Sequence, residues 1–311
     1  MKARHLLSIA EIGATNLRCL LHLAFGLAAG ENGGIRPLHG KMVGTYFRRS
    51  STRTRTSFTV AAMKLGAGTI HYGPKDLQIC TGESVRDTAR VLSGFLDVLI
   101  IRTNETVAEM ELFAEQDTMS VINAMSESEH PTQAIADLVT IRETLGRLEG
   151  VHILYVGEGN NTAASLALAT AQLPKMRMTL VTPEGYGLNA NILGAARDFG
   201  ERHGSLVEQH HRLDNLPKNV DVVYTTRWET AGELKAENGW RKKFEPYCVT
   251  PKLMAQVSKG EETIFLHDLP AIRGSEVVNE VLDGPQSRAF ELARHKLTSA
   301  LAVLTWCAAA D

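Results

Sequence analysis

Along the chain, short runs rich in β-branched residues alternate with longer stretches in which apolar positions recur every three to four residues. The short runs are Met42-Phe47, Gly68-Tyr72, Val98-Arg102, Ser120-Asn123, His152-Val156, Met176-Val181, Asp221-Thr225 and Thr263-His267, each bounded by Gly, Pro or polar residues. They predict strands. Helical patterning covers Thr54-Leu65, Ser84-Leu96, Thr106-Glu115, Thr132-Leu145, Thr162-Leu173 and Asn189-His203, and returns at Ser287-Leu304. Such alternation predicts an α/β fold of doubly wound, mostly parallel sheets covered by helices on both faces. Ligands then belong at the carboxyl ends of the strands.

Gly146-Arg-Leu-Glu-Gly150 interrupts a long helical pattern just before the very apolar strand at His152, which suggests a domain boundary with about four strands on each side. A length of 311 residues suits two domains. Gly30-Gly34 and Asn238-Lys243 read as surface loops, and the chain carries no repeats.

Charge narrows the field. With 33 Lys plus Arg against 35 Asp plus Glu, the net charge of -2 argues against a surface built for nucleic acid or an anionic membrane. The longest apolar stretch, Leu17 to Gly30, contains Arg18 and His22 and falls short of the roughly 20 apolar residues that span a bilayer. Cys19, Cys80, Cys248 and Cys307 are far apart and lack metal-ligand spacing, so the expectation is a reduced, cytoplasmic protein without metal or cofactor.

Three motifs carry chemistry. Tyr46-Phe-Arg-Arg-Ser-Ser-Thr-Arg-Thr-Arg-Thr-Ser57 leaves a strand and enters a helix. It places hydroxyls, arginines and free backbone N-H groups at a helix N-terminus, where an oxyanion such as phosphate binds. The competing reading is a solvated basic loop or nucleic-acid patch made of Arg48, Arg49, Arg53, Arg55 and Lys64. No aromatic residues are interleaved to support that. His130-Pro-Thr-Gln133 also opens a helix after a strand, and Arg102 ends another strand. Alone, the first reads as a cap and the second as a surface ion pair. Together they converge on the rim that holds the hydroxyl-rich loop.

With these residues in hand, the chain resembles the aspartate/ornithine carbamoyltransferase family from the Leu7-Leu27 segment to the last helix. Ser51-Thr-Arg-Thr-Arg55 resembles the family's carbamoyl-phosphate signature, and His130-Pro-Thr-Gln133 its His-Pro-x-Gln motif. Arg102 is similar to its strand-end arginine. Gly82-Glu-Ser-Val-Arg-Asp-Thr-Ala-Arg-Val-Leu92 is similar to the segment that reaches a neighbouring subunit's site. Gln78 falls where the ornithine branch has a phosphate-contacting glutamine. Val156-Gly-Glu-Gly-Asn-Asn161, Thr182-Pro-Glu-Gly-Tyr186 and His267-Asp-Leu-Pro-Ala-Ile-Arg-Gly274 also resemble that branch.

The resemblance implies a carbamoyl-phosphate domain over residues 1–147, with a C-terminal helix over 287–311 packing back on it. A Rossmann-like acceptor domain would cover 148–286. It further implies a homotrimer with shared sites. Carbamoyl phosphate and a small amine acceptor are the implied ligands. No covalent enzyme nucleophile is needed, because an amine attacks the carbamoyl carbon and phosphate leaves. The implied roles place Arg102, His130 and Thr54 at the carbonyl oxygen, and Gln133 and the Leu269 carbonyl at the carbamoyl NH2. Ser51, Thr52, Arg53 and Gln78 would meet the phosphate, with Lys296 standing where an arginine is expected near it.

The departures concern the acceptor. Where the ornithine branch has Asp-x-Trp-x-Ser-Met-Gly, this chain has Thr226-Arg-Trp-Glu-Thr-Ala-Gly232, and its His-Cys-Leu-Pro is His267-Asp-Leu-Pro270. Tyr224-Thr-Thr-Arg227 resembles the aspartate branch instead, whose arginine grips a carboxylate. Asn160, Asn161, Thr226, Arg227, Glu229 and Asp268 are therefore the candidate acceptor residues. The expectation is a small amino-acid-like amine other than ornithine or aspartate, its anion on Arg227 and its amine near Asp268. For the bland alternative, Arg227 pairs with Glu229 or Glu233, and Asp268 caps a turn. Ornithine carbamoyltransferase, a catalytically silent assembly subunit, and a nicotinamide enzyme suggested by Gly157-x-Gly159 remain the other readings. The last lacks its third glycine, because residue 162 is Thr.

Overall fold

The computed structural model describes every residue except 1–2, 32–33, 35, 230–234, 236 and 310–311. Two compact units divide the chain. Unit 1 is Met1–Val139 with His295–Asp311, and unit 2 is Thr140–Arg294. The division falls at Val139, inside a continuous helix, rather than at the glycines that follow it.

In unit 1 the order is α1 (Ile9–Ala28, broken at Gly13), β1 (Met42–Phe47), α2 (Thr52–Lys64), β2 (Gly68–Tyr72), α3 (Val85–Leu92), β3 (Val98–Arg102), α4 (Ala108–Ala114), β4 (Ser120–Met125) and α5 (Pro131–Leu145). The four strands form one sheet in the order β2-β1-β3-β4, and every pairing is parallel. Leu99, Ile101, Val121 and Tyr46 pack on Leu92, Leu96, Met110 and Phe113 of the covering segments.

Unit 2 runs β5 (His152–Val156), α6 (Asn161–Ala171), β6 (Arg177–Val181), α7 (Ala190–His203), β7 (Leu206–His210), β8 (Val222–Thr225), α8 (Trp240–Phe244), α9 (Pro251–Val257), β9 (Ile264–His267) and α10 (Asn279–Leu282); α11 (Ala289–Ala308) closes the chain. Its five parallel strands are ordered β7-β6-β5-β8-β9. α6 is buried along its whole length, which its run of Ala, Ser and Thr permits, because small side chains let a helix lie close to a sheet.

The sequence reading gave this sheet four strands, and the structure adds β7. Of Leu206–His210 only Val207 is buried, so this edge strand lacks the apolar pattern by which the others are read.

Candidate active site

In each sheet the strand order reverses beside the first strand of the unit, and at such a reversal the covering loops part and leave a crevice. In unit 1 the reversal lies between β1 and β3, whose last paired residues are Phe47 and Arg102. The Arg48 N-H donates to the Arg102 carbonyl at 3.0 Å, so the hydroxyl-rich loop leaves the sheet beside Arg102. That loop feeds α2. Ser51 is its N-cap residue, yet the Ser51 side chain makes no capping bond, and Thr52 and Arg53 form the first turn. Arg102 Nη1 donates to the buried Thr54 Oγ1 at 3.3 Å.

α5 brings the second motif to the same place. His130, Gln133, Thr132, Thr54, Ser57, Phe58 and Lys296 line one small cavity. His130 Nδ1 lies 3.4 Å from Thr132 Oγ1, while the Thr132 carbonyl accepts from Ser299 at 2.7 Å. Gln133 is held at both ends: its Nε2 donates to Asp137 Oδ1 at 2.8 Å, and its Oε1 accepts from Lys296 Nζ. Burial, then the Lys296 ammonium, then the Arg102 guanidinium hold the His130 pKa well below its ordinary 6.5. The imidazole is therefore neutral at physiological pH and can donate a hydrogen bond without a charge of its own.

Other members of the basic loop have local partners. Arg48 pairs with Glu105 and Glu109, each at 2.8 Å, and Arg55 lies over the Phe47 ring at 5.3 Å. Gln78 is not among the residues that line the cavity. It opens an exposed 3-10 turn, Gln78–Thr81, and accepts from Thr81 Oγ1 at 2.7 Å.

In unit 2 the reversal lies between β5 and β8. Val156 pairs with Thr225, and Thr225 with His267, so the segments that follow emerge side by side: Gly157–Asn161, Thr226–Arg227 and Asp268. Two hydroxyls converge on Asp268. Thr226 Oγ1 donates to its Oδ1 at 2.8 Å, and Thr162 Oγ1 to its Oδ2 at 3.0 Å. Asn160 Oδ1 caps α6, accepting from the N-H groups of Thr162 (3.1 Å) and Ala163 (3.2 Å), and Asn161 is buried in the first turn.

Gly157 and Gly159 answer to packing. Gly157 has φ +118°, and a Cβ there would lie 3.2 Å from Trp228 Nε1. At Gly159 it would lie 2.5 Å from the backbone of Gly187 and Leu188. These contacts explain both glycines without a dinucleotide.

The bond from Leu269 N-H to His267 Nδ1, 2.8 Å, makes that nitrogen an acceptor, so Nε2 carries the hydrogen and donates to Glu276 at 3.2 Å. Glu276 is fully buried and also accepts from Ile272 N-H at 2.5 Å, which ties down both sides of Leu269, whose φ is +51°. Asp268, 3.5 Å from His267 Nδ1, makes no bond to it, because both are acceptors. Arg227 is half-buried, and its Nε has no hydrogen-bond partner among the described residues. Glu229 accepts from Arg241 at 3.1 Å; Glu233, Thr230 and Ala231 lie outside the described residues.

Residues 4–143 match the model of the aspartate/ornithine carbamoyltransferase carbamoyl-P binding domain, and 149–307 that of the Asp/Orn binding domain. The chain belongs to the aspartate/ornithine carbamoyltransferase family. It is an enzyme that transfers carbamoyl groups. Its sequence is 43% identical to the ornithine carbamoyltransferase of Methanobrevibacter smithii over 269 residues, 86% of this chain and 88% of that one. The enzyme of that name from Caldicellulosiruptor saccharolyticus is 39% identical, over 97% of this chain and 98% of its own. Among solved structures, the ornithine carbamoyltransferase of Pyrococcus furiosus has a TM-score of 0.90 and 35% identity, covering 97% of this carbamoyltransferase and 96% of that chain. That of Gloeobacter violaceus has a TM-score of 0.86 and 38% identity, with 99% of each chain covered.

These likenesses overturn the expectation of an acceptor other than ornithine, since the relatives that match over nearly the whole chain bear ornithine's name. Read along the sequence, the acid missing at Thr226 and the acid gained at Asp268 count as two departures. In the fold the two residues are joined by one hydrogen bond at the ends of neighbouring strands.

Sequence reasoning missed Asp137, Thr162 and Glu276. Asp137 lies four residues after Gln133 on one helix face, a spacing that could have revealed it. Thr162 in α6 meets Asp268 far along the chain and Glu276 meets His267 from the irregular segment after β9, and local patterning holds no sign of either.

Proposed function

We propose that this enzyme carbamoylates ornithine. The side-chain amine of ornithine attacks the carbon of carbamoyl phosphate, the bond from that carbon to the phosphate oxygen breaks, and citrulline, inorganic phosphate and a proton result. The observation that carries the reading is the near-full-length likeness to several proteins named ornithine carbamoyltransferase. The Asp268 carboxylate, already gathering hydroxyl donors, supports it as a partner for an ammonium group.

In this reading Ser51, Thr52, Arg53 and the α2 N-terminus hold the phosphate, with Lys296 adding positive charge. Thr54, Arg102 and neutral His130 stabilise the oxyanion that forms on the carbonyl, and such a donor typically contributes about 100- to 1000-fold in kcat. Gln133 accepts from the carbamoyl NH2, its amide fixed by Asp137. Asn160, Asn161, Thr226, Arg227, Glu229 and Asp268 serve the acceptor, Asn161 and Arg227 taking its carboxylate and Asp268 its ammonium.

The same reading makes the enzyme a cytoplasmic homotrimer with shared sites. Among the described residues no helix is long and apolar enough to cross a membrane. Val91 and Phe95 are 53% and 69% exposed, which favours a partner over that face of unit 1. Gln78, which does not line its own cavity, suits a neighbour's site. Subunits bearing Gln78→Ala and His130→Ala, mixed and reassembled, should regain activity; no recovery despite proven exchange argues for self-contained sites.

The deciding assay follows citrulline and phosphate release with ornithine, aspartate, lysine and putrescine as acceptors. Stoichiometric citrulline and phosphate, with ornithine the best acceptor, is the expected outcome. A higher kcat/KM for any other amine, or no product, overturns the reading.

A further inference from the structure

In unit 2 an ammonium group of the protein itself occupies a site built for one. Lys235 Nζ lies 4.6 Å from the ring centroid of Tyr186, 5.1 Å from that of Phe244 and 5.3 Å from that of Trp240, and it donates to Glu158 Oε1. The side chains of Lys235 and Glu158 are only 12% and 16% exposed. The rings are locked to one another: Phe244 meets Trp240 edge-on at 5.5 Å and Tyr186 at 4.8 Å. Three π faces and one carboxylate around a desolvated cation make the arrangement that selects an alkylammonium. A lysine merely packing its stem would keep its head in water.

We propose that Glu158, Tyr186, Trp240 and Phe244 form an ammonium site filled by the chain's own Lys235, and that this internal cation positions the acceptor half of the enzyme. Glu158 belongs to the loop after β5, two residues before Asn160, the cap of α6. Trp228, two residues beyond Thr226, packs on Phe244 at 5.4 Å. Lys235 thereby ties the loop after β5 to the aromatic cluster that anchors the segment after β8. The positioning role rests on the ornithine reading; the ammonium site stands on its own geometry.

The experiment therefore has two arms. Calorimetry with n-butylammonium chloride, against n-butanol with sodium chloride at equal ionic strength, is run on wild type and Lys235→Ala. The vacated cage should bind the cation at least roughly tenfold tighter than wild type does, and adding Glu158→Gln should remove the gain. Equal binding to wild type and Lys235→Ala overturns the site. In the second arm Lys235→Gln should raise the ornithine KM about tenfold or more while the carbamoyl phosphate KM stays put, and Lys235→Arg, which keeps the cation, should stay near wild type. Should Lys235→Ala not fold, this comparison decides: equal ornithine KM in Gln and Arg variants refutes the role of the cation. The first arm uses no substrate, so failure of the ornithine reading, seen as absent wild-type citrulline formation, is distinguishable from failure of the cage.

Discussion

Thr226 at the end of β8 donates a 2.8 Å hydrogen bond to Asp268 at the end of β9, 42 residues further along the chain. If this contact carries the acceptor's charge requirement, the two positions are coupled. Thr226→Asp alone places a second carboxylate beside Asp268, and like charges at that range oppose each other's ionisation. Its kcat/KM for ornithine should fall at least tenfold, and Thr226→Asp with Asp268→Cys should recover most of that loss. Thr226→Val, which leaves Asp268 short of a donor, should cost about 1–3 kcal/mol of acceptor binding. Additive effects in the double variant would separate the two residues.

His130 should remain neutral through the working pH range. Its folded pKa lies well below 6.5, so the unfolded chain takes up the proton first as pH falls. The stability this group contributes is fully present above about pH 6.5 and is lost as pH drops toward the folded pKa. A histidine NMR titration should show no His130 transition near 6.5 in wild type, and a transition moved upward in Lys296→Met, where one cause of the depression is gone. An unmoved transition would show that burial and the Arg102 guanidinium set it without Lys296.

Arg53 and Arg102 should fail differently. Arg53→Ala should weaken carbamoyl phosphate binding severely in calorimetry without ornithine, because the phosphate loses a bidentate charged donor. Arg102→Ala should lower kcat by about 100- to 1000-fold, through loss of oxyanion stabilisation. Unchanged affinity in Arg53→Ala would remove the assignment of the phosphate loop.

Gly159→Ala should destabilise unit 2 by about 1–3 kcal/mol, the usual cost of overpacking, because its Cβ would lie 2.5 Å from backbone atoms that have no rotamer to give. Thermal unfolding with and without ornithine checks this. A Tm equal to wild type means the loop yields.

The elements whose burial repeats along the chain were legible before any fold was known. β1, β3 and β5 occupy the predicted spans because each buries an apolar run, whereas β7, with one buried residue, left no such trace. The hydroxyl-rich loop, Arg102 and the His130 motif were legible for a related reason: each sits at the end of a predicted strand or the start of a helix, and parallel sheets bring those ends to one rim.

The sequence by itself determined the α/β class and the hydroxyl- and arginine-rich start of α2, because helix and strand periods and helix-terminal residues are properties of neighbouring residues, and its resemblance to the carbamoyltransferase family carried the reaction class. Only the tertiary structure decided what surrounds each charge. Asp268 meets Thr226 and Thr162, Lys296 meets Gln133, and Lys235 meets Glu158 across long intervals of chain. Sheet order and register choose such partners, and a hydrogen bond acts over about 3 Å of space whatever the distance in sequence. Thr226 and Asp268, separate changes along the sequence, are in the fold joined by one hydrogen bond between the ends of neighbouring strands.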